Sequence, residues 1–393
     1  MKDEATTAER RHTVIRKIVT QTLGIQHNFT IEQNTVATNN HVYIIRFSEP
    51  IETAKKYKND TPLTVEIPAG TSHLVMRYVR LDNNVEDSIR IRNEVAFLTL
   101  ARKALANVDP SLVPQVFDWD DDLREGYIIQ EFKPGEHLSY DDLHALGEKD
   151  AKFVCKQLAA VAKAFQDYEM PVEGYGGLTF DNDGDMSATE IIFRTGGPFS
   201  TYRDYLKAAL KWQLAQSESV VGLNGWRNTP GLRERIDAFV ANGLDRALGN
   251  VPKQKPTLVH GDLTVLDFDF GHIGSAVTEF LYSFQDFQGL IDGIAEPGDG
   301  LRDLLLNGFA GPVEAKFAIG KAWDEALAVQ GALRPCTIEG ADDVSNLWWF
   351  AQELLQFHWL LPRFYQSQSE EQLERWVAKS RGHIEAYLEH WGF

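Results

Sequence analysis

The sequence has 393 residues, of which 43% are hydrophobic and 24% charged, an ordinary composition for a globular protein of two domains or one two-lobed unit. The net charge of −18 argues against nucleic acid as a partner, because a phosphate-binding surface needs clustered Lys and Arg, and it is compatible with a cationic substrate. No apolar run approaches the roughly 20 residues of a membrane helix. The start, MKDEATTAERR, lacks the apolar core of a signal peptide, and the two cysteines lie far apart. We therefore expect a cytoplasmic protein with no membrane partner.

Helical and alternating hydrophobic patterns follow one another in the first part of the chain. A helix is predicted from Glu9 to Leu23. Two strands joined by a polar turn are predicted within Phe29 to Phe47, and the turn contains no glycine-rich loop. A further strand within residues 63–80 carries Arg77 in an apolar run, and the hydrophobic spacing after it predicts a helix between residues 85 and 105.

Glu94 lies near the predicted buried face of that helix, one element after Arg77 on its strand. A basic residue on a strand followed by a Glu on the next helix is the ion pair that holds the nucleotide phosphates in kinases. Charged residues are also routine on exposed helices, so this pattern alone is weak.

Two more strands are predicted, from Leu112 to Val116 and from Gly126 to Phe132, before Lys133-Pro134-Gly135 interrupts the pattern. In a nucleotide-binding sheet, the backbone of Glu131 and Phe132 is where an adenine would be hydrogen-bonded. The hydrophobic period changes from 2 to 3.6 after this break. We therefore predict an N-terminal lobe over residues 1–133 and a mainly helical C-terminal lobe over residues 134–393.

The second lobe is expected to contain helices at Tyr202 to Gln216 and Leu232 to Leu248, preceded by a hairpin within Gly174 to Gly197. The turn of this hairpin, within DNDGD, resembles a calcium loop, but its Gly comes too early and the closing Glu is missing. Tryptophans are expected to pack the helices of the last third: Trp348, Trp349, Trp359, Trp376 and Trp391.

Two carboxylates lie at the ends of short apolar runs between Leu258 and Phe270. The run Thr257 to Val259 leads to His260-Gly261-Asp262, and Asp267 stands within a second run, Val265 to Phe270, which we predict to be a strand. Buried carboxylates need cations or hydrogen bonds to compensate them. Phosphoryl transfer uses one Asp to accept the proton of the attacking hydroxyl and another to hold Mg²⁺, although a lone H-G-D is common and an Asp before a Gly is often only a turn.

In this order, the parts resemble the aminoglycoside phosphotransferase-like (APH or choline kinase-like) family, in particular its branch from filamentous fungi. The resemblance extends from about Asn28 to the last helices, and its most specific pieces are LVHGDL, VLDFDFGHIG and EFLYSF. It implies an α+β, protein kinase-like two-lobed fold and an ATP-dependent phosphotransferase with Mg²⁺ as cofactor. It also implies a small-molecule acceptor with a hydroxyl group, and a monomer or homodimer.

The resemblance further implies roles for single residues. Asp262 is the catalytic base and Asp267 the Mg²⁺ ligand, while Arg77 and Glu94 take the positions of the phosphate-binding pair. Glu131 and Phe132 lie in the segment that binds the adenine.

The sequence departs from the family directly after Leu263. The family has a metal-binding Asn five residues after the catalytic Asp and then a short hairpin, whereas here Leu263 runs straight into Thr264 and Asp267. This gap is compatible with an exon lost from the sequence, with a splice variant, and with a true loss that impairs catalysis.

Two other functions remain compatible with the residues. The chain could be a non-catalytic kinase-like (pseudokinase) protein that binds a ligand without turnover. A metal-dependent phosphoesterase would need more His or Asp ligands than His272 supplies.

Overall fold

The computed structural model describes residues 2–34, 40–55, 61–79, 87–122, 126–135, 138–191, 195–220, 225–263, 268–296, 298, 300–355 and 367–393. Contacts divide the chain into two compact units. The first contains Met1–Lys103, Asp109–Glu136 and Thr179–Ser187; the second contains Ala104–Val108, His137–Leu178 and Ala188–Phe393. Among the described residues, no helix combines the length and the apolar character that crossing a bilayer requires.

The first unit is built on one antiparallel sheet of five strands in the order β1-β2-β3-β5-β4. Its strands are β1 (Phe29–Asn34), β2 (Asn40–Phe47), β3 (His73–Val79), β4 (Val116–Asp120) and β5 (Tyr127–Glu131). Its helices are α1 (Lys2–Lys17), which continues as a π-helical turn over Ile18–Thr22, and α2 (Asp87–Ala104).

Alternation along the strands fixes which face of this sheet is buried. In β2, Tyr43, Ile45 and Phe47 are buried, whereas Arg46 between them is exposed. These side chains form one hydrophobic core with residues of α1 and β3, such as Ile15 and Met76. A period of two on a half-buried sheet explains why the sequence pattern located β1, β2, β3 and β5.

The prediction of a strand from Leu112 to Val116 is wrong. Pro110–Leu112 forms a 3₁₀ turn, because the side chain of Asp109 accepts a hydrogen bond of 2.8 Å from the backbone N–H of Ser111, and β4 begins only at Val116. Pro114, which has no N–H to donate to a ladder, lies between the two. The first helix also begins earlier than predicted, at Lys2.

The second unit is mainly helical. Its helices are α3 (Tyr140–Ala145), α4 (Glu148–Asp167), α5 (Tyr202–Ser217), α6 (Leu232–Ala238), α7 (Leu244–Ala247), α8 (Ala276–Tyr282), α9 (Leu301–Asn307), α10 (Ala318–Gln330), α11 (Ala341–Leu354) and α12 (Glu370–Trp391). A π-helical turn, Phe239–Gly243, joins α6 to α7. Among the described residues, β8 (Thr257–Val259) pairs with β9 (His272–Gly274) in this unit, and β6 (Gly177–Phe180) pairs with β7 (Met186–Thr189) in a hairpin whose segment Thr179–Ser187 belongs to the first unit. The α+β class predicted from the sequence is confirmed.

The described part of the run Val265 to Phe270 is not a strand. Residues 264–267 lie outside the described residues, and Phe268 to Phe270 form a turn that the N–H of Gly271 closes by donating to the carbonyl of Phe268 at 2.9 Å. The strand comes two residues later, as β9, and pairs antiparallel with β8. The aromatic side chains gave the turn the appearance of an apolar strand.

Candidate active site

The turn that carries His260-Gly261-Asp262 follows β8 and is fastened to α8 by one carboxylate. The backbone N–H of His260 donates to Glu279 Oε2 at 2.7 Å, and that of Gly261 donates to Glu279 Oε1 at 3.2 Å. Glu279 is only 9% exposed. Two otherwise orphaned donors of the turn are therefore satisfied by a side chain of the helix.

Ser283, one helical turn after Glu279, extends this fastening. Its hydroxyl donates to Glu279 Oε1 and accepts a hydrogen bond of 3.1 Å from the N–H of Leu263. Burial raises the pKa of Glu279, while the hydrogen bonds from Ser283, His260 and Gly261 act against this rise. The turn from residue 260 to residue 263 is thus held at three of its amides.

Gly261 is required by the backbone at this turn. Its φ is +78°, and a Cβ atom there would lie 2.8 Å from both Cβ and the carbonyl oxygen of Phe270. A side chain would be strained and would also collide with the opposite turn. The close approach brings Phe270 against the residue that precedes Asp262.

Asp262 is half-buried, whereas its neighbours His260 and Gly261 are buried. Its N–H donates to His260 Nδ1 at 3.3 Å. Asp267, the expected metal ligand, lies outside the described residues. Asp269 is described; it lies in the turn from Phe268 to Phe270 and is only 2% exposed.

Arg77 on β3 and Glu94 on α2 form an ion pair within the first unit. Both residues are buried, at 4% and 3% exposed. The structure therefore brings together the two residues that the sequence singled out, in the environment where breaking such a pair is costly.

The segment expected to bind an adenine lies at the end of β5. The N–H of Glu131 donates to the carbonyl of Gln115 at 2.9 Å, and the carboxylate of Glu131 pairs with Lys133 at 2.7 Å. The ring of Phe132 stacks on His73, with 5.1 Å between centroids and 30° between planes. The Glu131 amide is thus already used within the sheet.

A cavity of about 280 Å³ lies within the second unit. Gly261 and Phe270 form part of its wall, so it lies beside the turn that carries Asp262. The aromatic residues of the wall are Tyr205, Trp212, Phe270, Tyr282, Trp348 and Trp349.

The sequence reasoning missed Glu279 and Ser283 as residues that position the turn, and it missed the cavity. For the first two a signal existed: Glu279 and Ser283 stand four places apart, the spacing of one helical face, in the otherwise apolar run AVTEFLYSF. A carboxylate in a buried helix needs donors. The cavity wall had no comparable signal, because it collects residues from Ile191 to Leu355.

Fold and turn together define a kinase-like α+β protein, in which a strand–helix ion pair and an H-G-D turn after a short strand are the distinguishing parts. A profile of the phosphotransferase enzyme family (APH) matches residues 63–265, just over half of the chain. The chain therefore belongs to this family. No curated protein sequence matches it.

Solved structures of low sequence identity align with nearly the whole chain. A candidate aminoglycoside phosphotransferase from Ralstonia eutropha JMP134 is 14% identical with a TM-score of 0.51, and the match covers 97% of this chain and 98% of that one. The gentamicin complex of APH(2″)-IIa is 15% identical with a TM-score of 0.48, covering 94% and 97%. ADP-bound APH(2″)-Ib is 13% identical with a TM-score of 0.46, covering 95% and 98%. The first of these likenesses confirms the predicted kinase-like fold.

Proposed function

We propose that this protein is an ATP-dependent phosphotransferase that transfers a phosphoryl group to the hydroxyl of a small molecule. The observation that carries the proposal is the H-G-D turn, fastened to α8 through Glu279 in a member of the phosphotransferase family. Positioning is most of what a protein contributes to phosphoryl transfer. A turn held at three amides supplies it for Asp262.

In the proposed reaction the carboxylate of Asp262 accepts the proton of the attacking hydroxyl. The hydroxyl oxygen forms a bond to the γ-phosphorus of ATP, the bond from that phosphorus to the bridging oxygen breaks, and ADP leaves. Arg77, oriented by Glu94, holds the phosphates. Because the Glu131 amide is engaged with Gln115, an adenine would meet the backbone of Phe132.

The oxygen ligands near the turn suit Mg²⁺, which prefers carboxylates and water. Asp267 would hold the ion, and Asp269 stands two residues further along the chain. When bound, Mg²⁺ neutralises the charge of the phosphates. The set is one ligand short of the family's, because the metal-binding Asn and the hairpin that follows it in the family are missing between Leu263 and Asp267.

A second function, nucleotide binding without turnover, is favoured by this gap. The family match ends at residue 265, two residues after Leu263.

We further propose that the chain comes from the fungal branch of the family, that it works in the cytoplasm, and that the gap reflects a lost segment. The intact H-G-D turn on one side of the gap supports the loss of a segment rather than a gradual decay of the site.

The test measures ATP binding by thermal shift and ATP turnover in two proteins: the chain as it stands, and the chain with an Asn-containing family loop inserted between Leu263 and Thr264. We expect both to bind Mg-ATP and turnover to rise by orders of magnitude on insertion, since one more metal ligand completes the neutralisation of the phosphates. Asp262→Asn in the restored protein should abolish turnover.

Ordinary kinase turnover by the unmodified chain, roughly 1–100 per second, would contradict the proposal that the missing segment impairs catalysis. Binding of ATP without turnover in both proteins would favour the pseudokinase, and absence of ATP binding in both would end the proposal.

A further inference from the structure

Three metal-ligating side chains converge in the second unit, outside the H-G-D turn. They are Glu296 in the segment before α9, Glu353 in the last turn of α11, and His383 on α12. Each supplies one ligand atom, and these three atoms all lie within 4.8 Å of one another. None of the three residues lines the cavity beside Gly261. Phosphoryl transfer at Asp262 makes no use of them.

The spacing of the three ligand atoms suits one small divalent cation. The ligands of a tetrahedral zinc ion, each bonded at about 2.1 Å, stand about 3.4 Å from one another. His383 Nδ1 lies 2.9 Å from Glu353 Oε1 and 3.8 Å from Glu296 Oε1, one distance on either side of that value. The side chain of Glu296 is 34% exposed, so it can make the small adjustment that is needed, and it leaves a path for the ion from solvent.

Glu353 is a buried carboxylate with little to compensate it. It is only 7% exposed, and among the described residues its carboxylate has one hydrogen-bond partner, the ring Nδ1 of His383. The buried carboxylate of Glu279, by comparison, accepts from two amides and one hydroxyl. Burying a carboxylate is costly unless cations or hydrogen bonds compensate it. A divalent cation between carboxylate and ring, in place of the shared proton, supplies that compensation.

The charges around the cluster also favour a cation. Lys379 Nζ lies 2.7 Å from Glu296 Oε1, but its side chain is 57% exposed and can move its charge into water. Arg302 is paired with Asp342. Burial raises the pKa of Tyr387, so its phenol stays neutral. Among the described residues, the two carboxylates of the cluster are therefore faced by one exposed ammonium group, and a dication balances them.

The segment that carries Glu296 is held against α11 by hydrogen bonds. Trp349 Nε1 donates to the carbonyl of Ile291 at 2.7 Å, and the N–H of Ile294 donates to Asn346 Oδ1 at 3.2 Å. The other two ligands stand on helices. Because the three side chains are already brought together by the fold, little ordering remains to be done when an ion binds.

We infer that Glu296, Glu353 and His383 bind one divalent transition-metal ion of the zinc class, with water completing its coordination. The imidazole nitrogen favours such an ion over Mg²⁺ and Ca²⁺, which prefer oxygen ligands. The bound ion joins the segment before α9 to α11 and α12, and it stabilises the second unit. This site goes beyond the proposed phosphotransferase function and does not depend on it.

The test measures binding of Co²⁺ and Zn²⁺ to the whole chain, freed of metal by a chelator and kept in excess Mg²⁺. The Mg²⁺ occupies the oxygen site expected at Asp267. We expect one Co²⁺ per chain to give a visible absorption band that Zn²⁺ abolishes by displacement, and saturating Zn²⁺ to raise the unfolding temperature by several degrees. Absence of both effects would overturn the inference.

Three substitutions and a control locate the ion. Glu296→Gln and His383→Gln each remove a ligand and should weaken Zn²⁺ binding more than about tenfold, since even the supporting residues of a metal site are worth that much. Lys379→Gln removes the ammonium group that competes for Glu296 Oε1 and should tighten binding at least about twofold. His390→Gln, exposed on the same helix, is the matched control and should leave binding unchanged.

Each protein is compared with and without Zn²⁺, so that a loss of packing alone does not count as a loss of the site. Glu296 and Lys379 are exposed enough to be replaced even if His383→Gln does not fold. Binding that is unchanged in Glu296→Gln, or that falls as much in His390→Gln as in Glu296→Gln, would mean that the metal is held adventitiously at the surface, and the inference would be wrong. Neither outcome bears on ATP turnover, so the phosphotransferase proposal is tested separately.

Discussion

Each unit of this protein buries a carboxylate at its candidate site, and the two are stabilised by different partners. Glu94 in the first unit is paired with a cation, the guanidinium of Arg77. Glu279 in the second unit accepts hydrogen bonds from two backbone amides and one hydroxyl. The first arrangement depends on one side chain, whereas the second depends on the conformation of the whole turn. Removing Glu94 therefore leaves the buried charge of Arg77 without this carboxylate, whereas removing Glu279 releases two amides of the H-G-D turn.

The largest effect is expected for Glu94→Ala. It leaves the Arg77 guanidinium buried without its carboxylate, which should lower the free energy of unfolding by about 3–5 kcal/mol. Stabilisation by Mg-ATP should be lost as well, because Arg77 is no longer oriented. Urea denaturation with and without Mg-ATP measures both.

The same sheet provides a matched control for this prediction. Arg46 on β2 pairs with Glu32 on β1 at 3.2 Å, and both side chains are exposed. Glu32→Ala should cost less than about 1 kcal/mol. Equal losses for the two substitutions would mean that burial does not distinguish the pairs. Replacing Arg77 and Glu94 together by Leu should recover much of the stability but no ATP binding.

Glu279→Ala should produce the next largest effect. Two buried amides lose their acceptor, for which we expect about 3 kcal/mol of lost stability. In the loop-restored protein kcat should fall far more than ATP affinity, because Glu279 orients the turn of Asp262 rather than the nucleotide.

Glu279→Gln keeps the shape and one acceptor oxygen, so its effects should be smaller. Glu389→Gln, exposed on α12, serves as the neutral comparison. A fall in ATP affinity as large as the fall in kcat would contradict a positioning role.

A third buried carboxylate, Asp118 on β4, is paired with no cation among the described residues, and it accepts fewer hydrogen bonds than Glu279. Burial raises its pKa to about 6, although the Tyr127 hydroxyl donates to it at 2.8 Å. Since the folded state holds this proton more tightly than the unfolded state, the contribution of Asp118 to stability grows as pH falls from about 6 to about 4 and is lost as pH rises through about 6. The rise in pKa corresponds to about 3 kcal/mol. An amide would accept more weakly from Tyr127, which offsets about 1 kcal/mol of this.

We therefore expect Asp118→Asn to raise stability at pH 7 by about 2 kcal/mol and to remove this pH dependence. Denaturation curves at several pH values check it, with exposed Asp120→Asn as the comparison. If the pH profile of Asp118→Asn were unchanged, the pH dependence of stability could not be assigned to the Asp118 carboxyl.

The smallest effect has the opposite sign and lies in the second unit. His272 on β9 is buried, which lowers its pKa to about 4, and its Nδ1 lies 2.9 Å from the carbonyl of Phe270. The unfolded chain binds a proton at this residue more readily, so stability should fall as pH drops below about 6.5. His272→Asn should remove a loss of about 1 kcal/mol between pH 7 and pH 6, measured in the same series. Steeper acid sensitivity in the variant would contradict this origin.

The sequence was most informative where local pattern and chemistry coincide. Arg77 and Glu94 could be paired because each lies on the predicted buried face of a regular element. The turn from Phe268 to Phe270 could not be told from a strand, because its aromatic side chains are buried for reasons of tertiary packing. Gln213 and Trp348 come together only when α5 packs on α11, which no local pattern encodes. The roles of Asp262, Asp267, Glu131 and Phe132 stay predictions.

The short segment Thr179–Ser187 has a consequence for how this protein is made. It belongs to the first unit, where Phe180 contacts Trp119 edge-on at 5.3 Å and its carbonyl accepts from Arg92 Nη1 at 2.9 Å. More than forty residues of the second unit precede it in the chain. During synthesis the sheet therefore emerges from the ribosome without a part of its own packing, and it is completed only after α4 has been translated. A fragment ending at residue 136 would carry the same deficit permanently, leaving one face of Trp119 open to water.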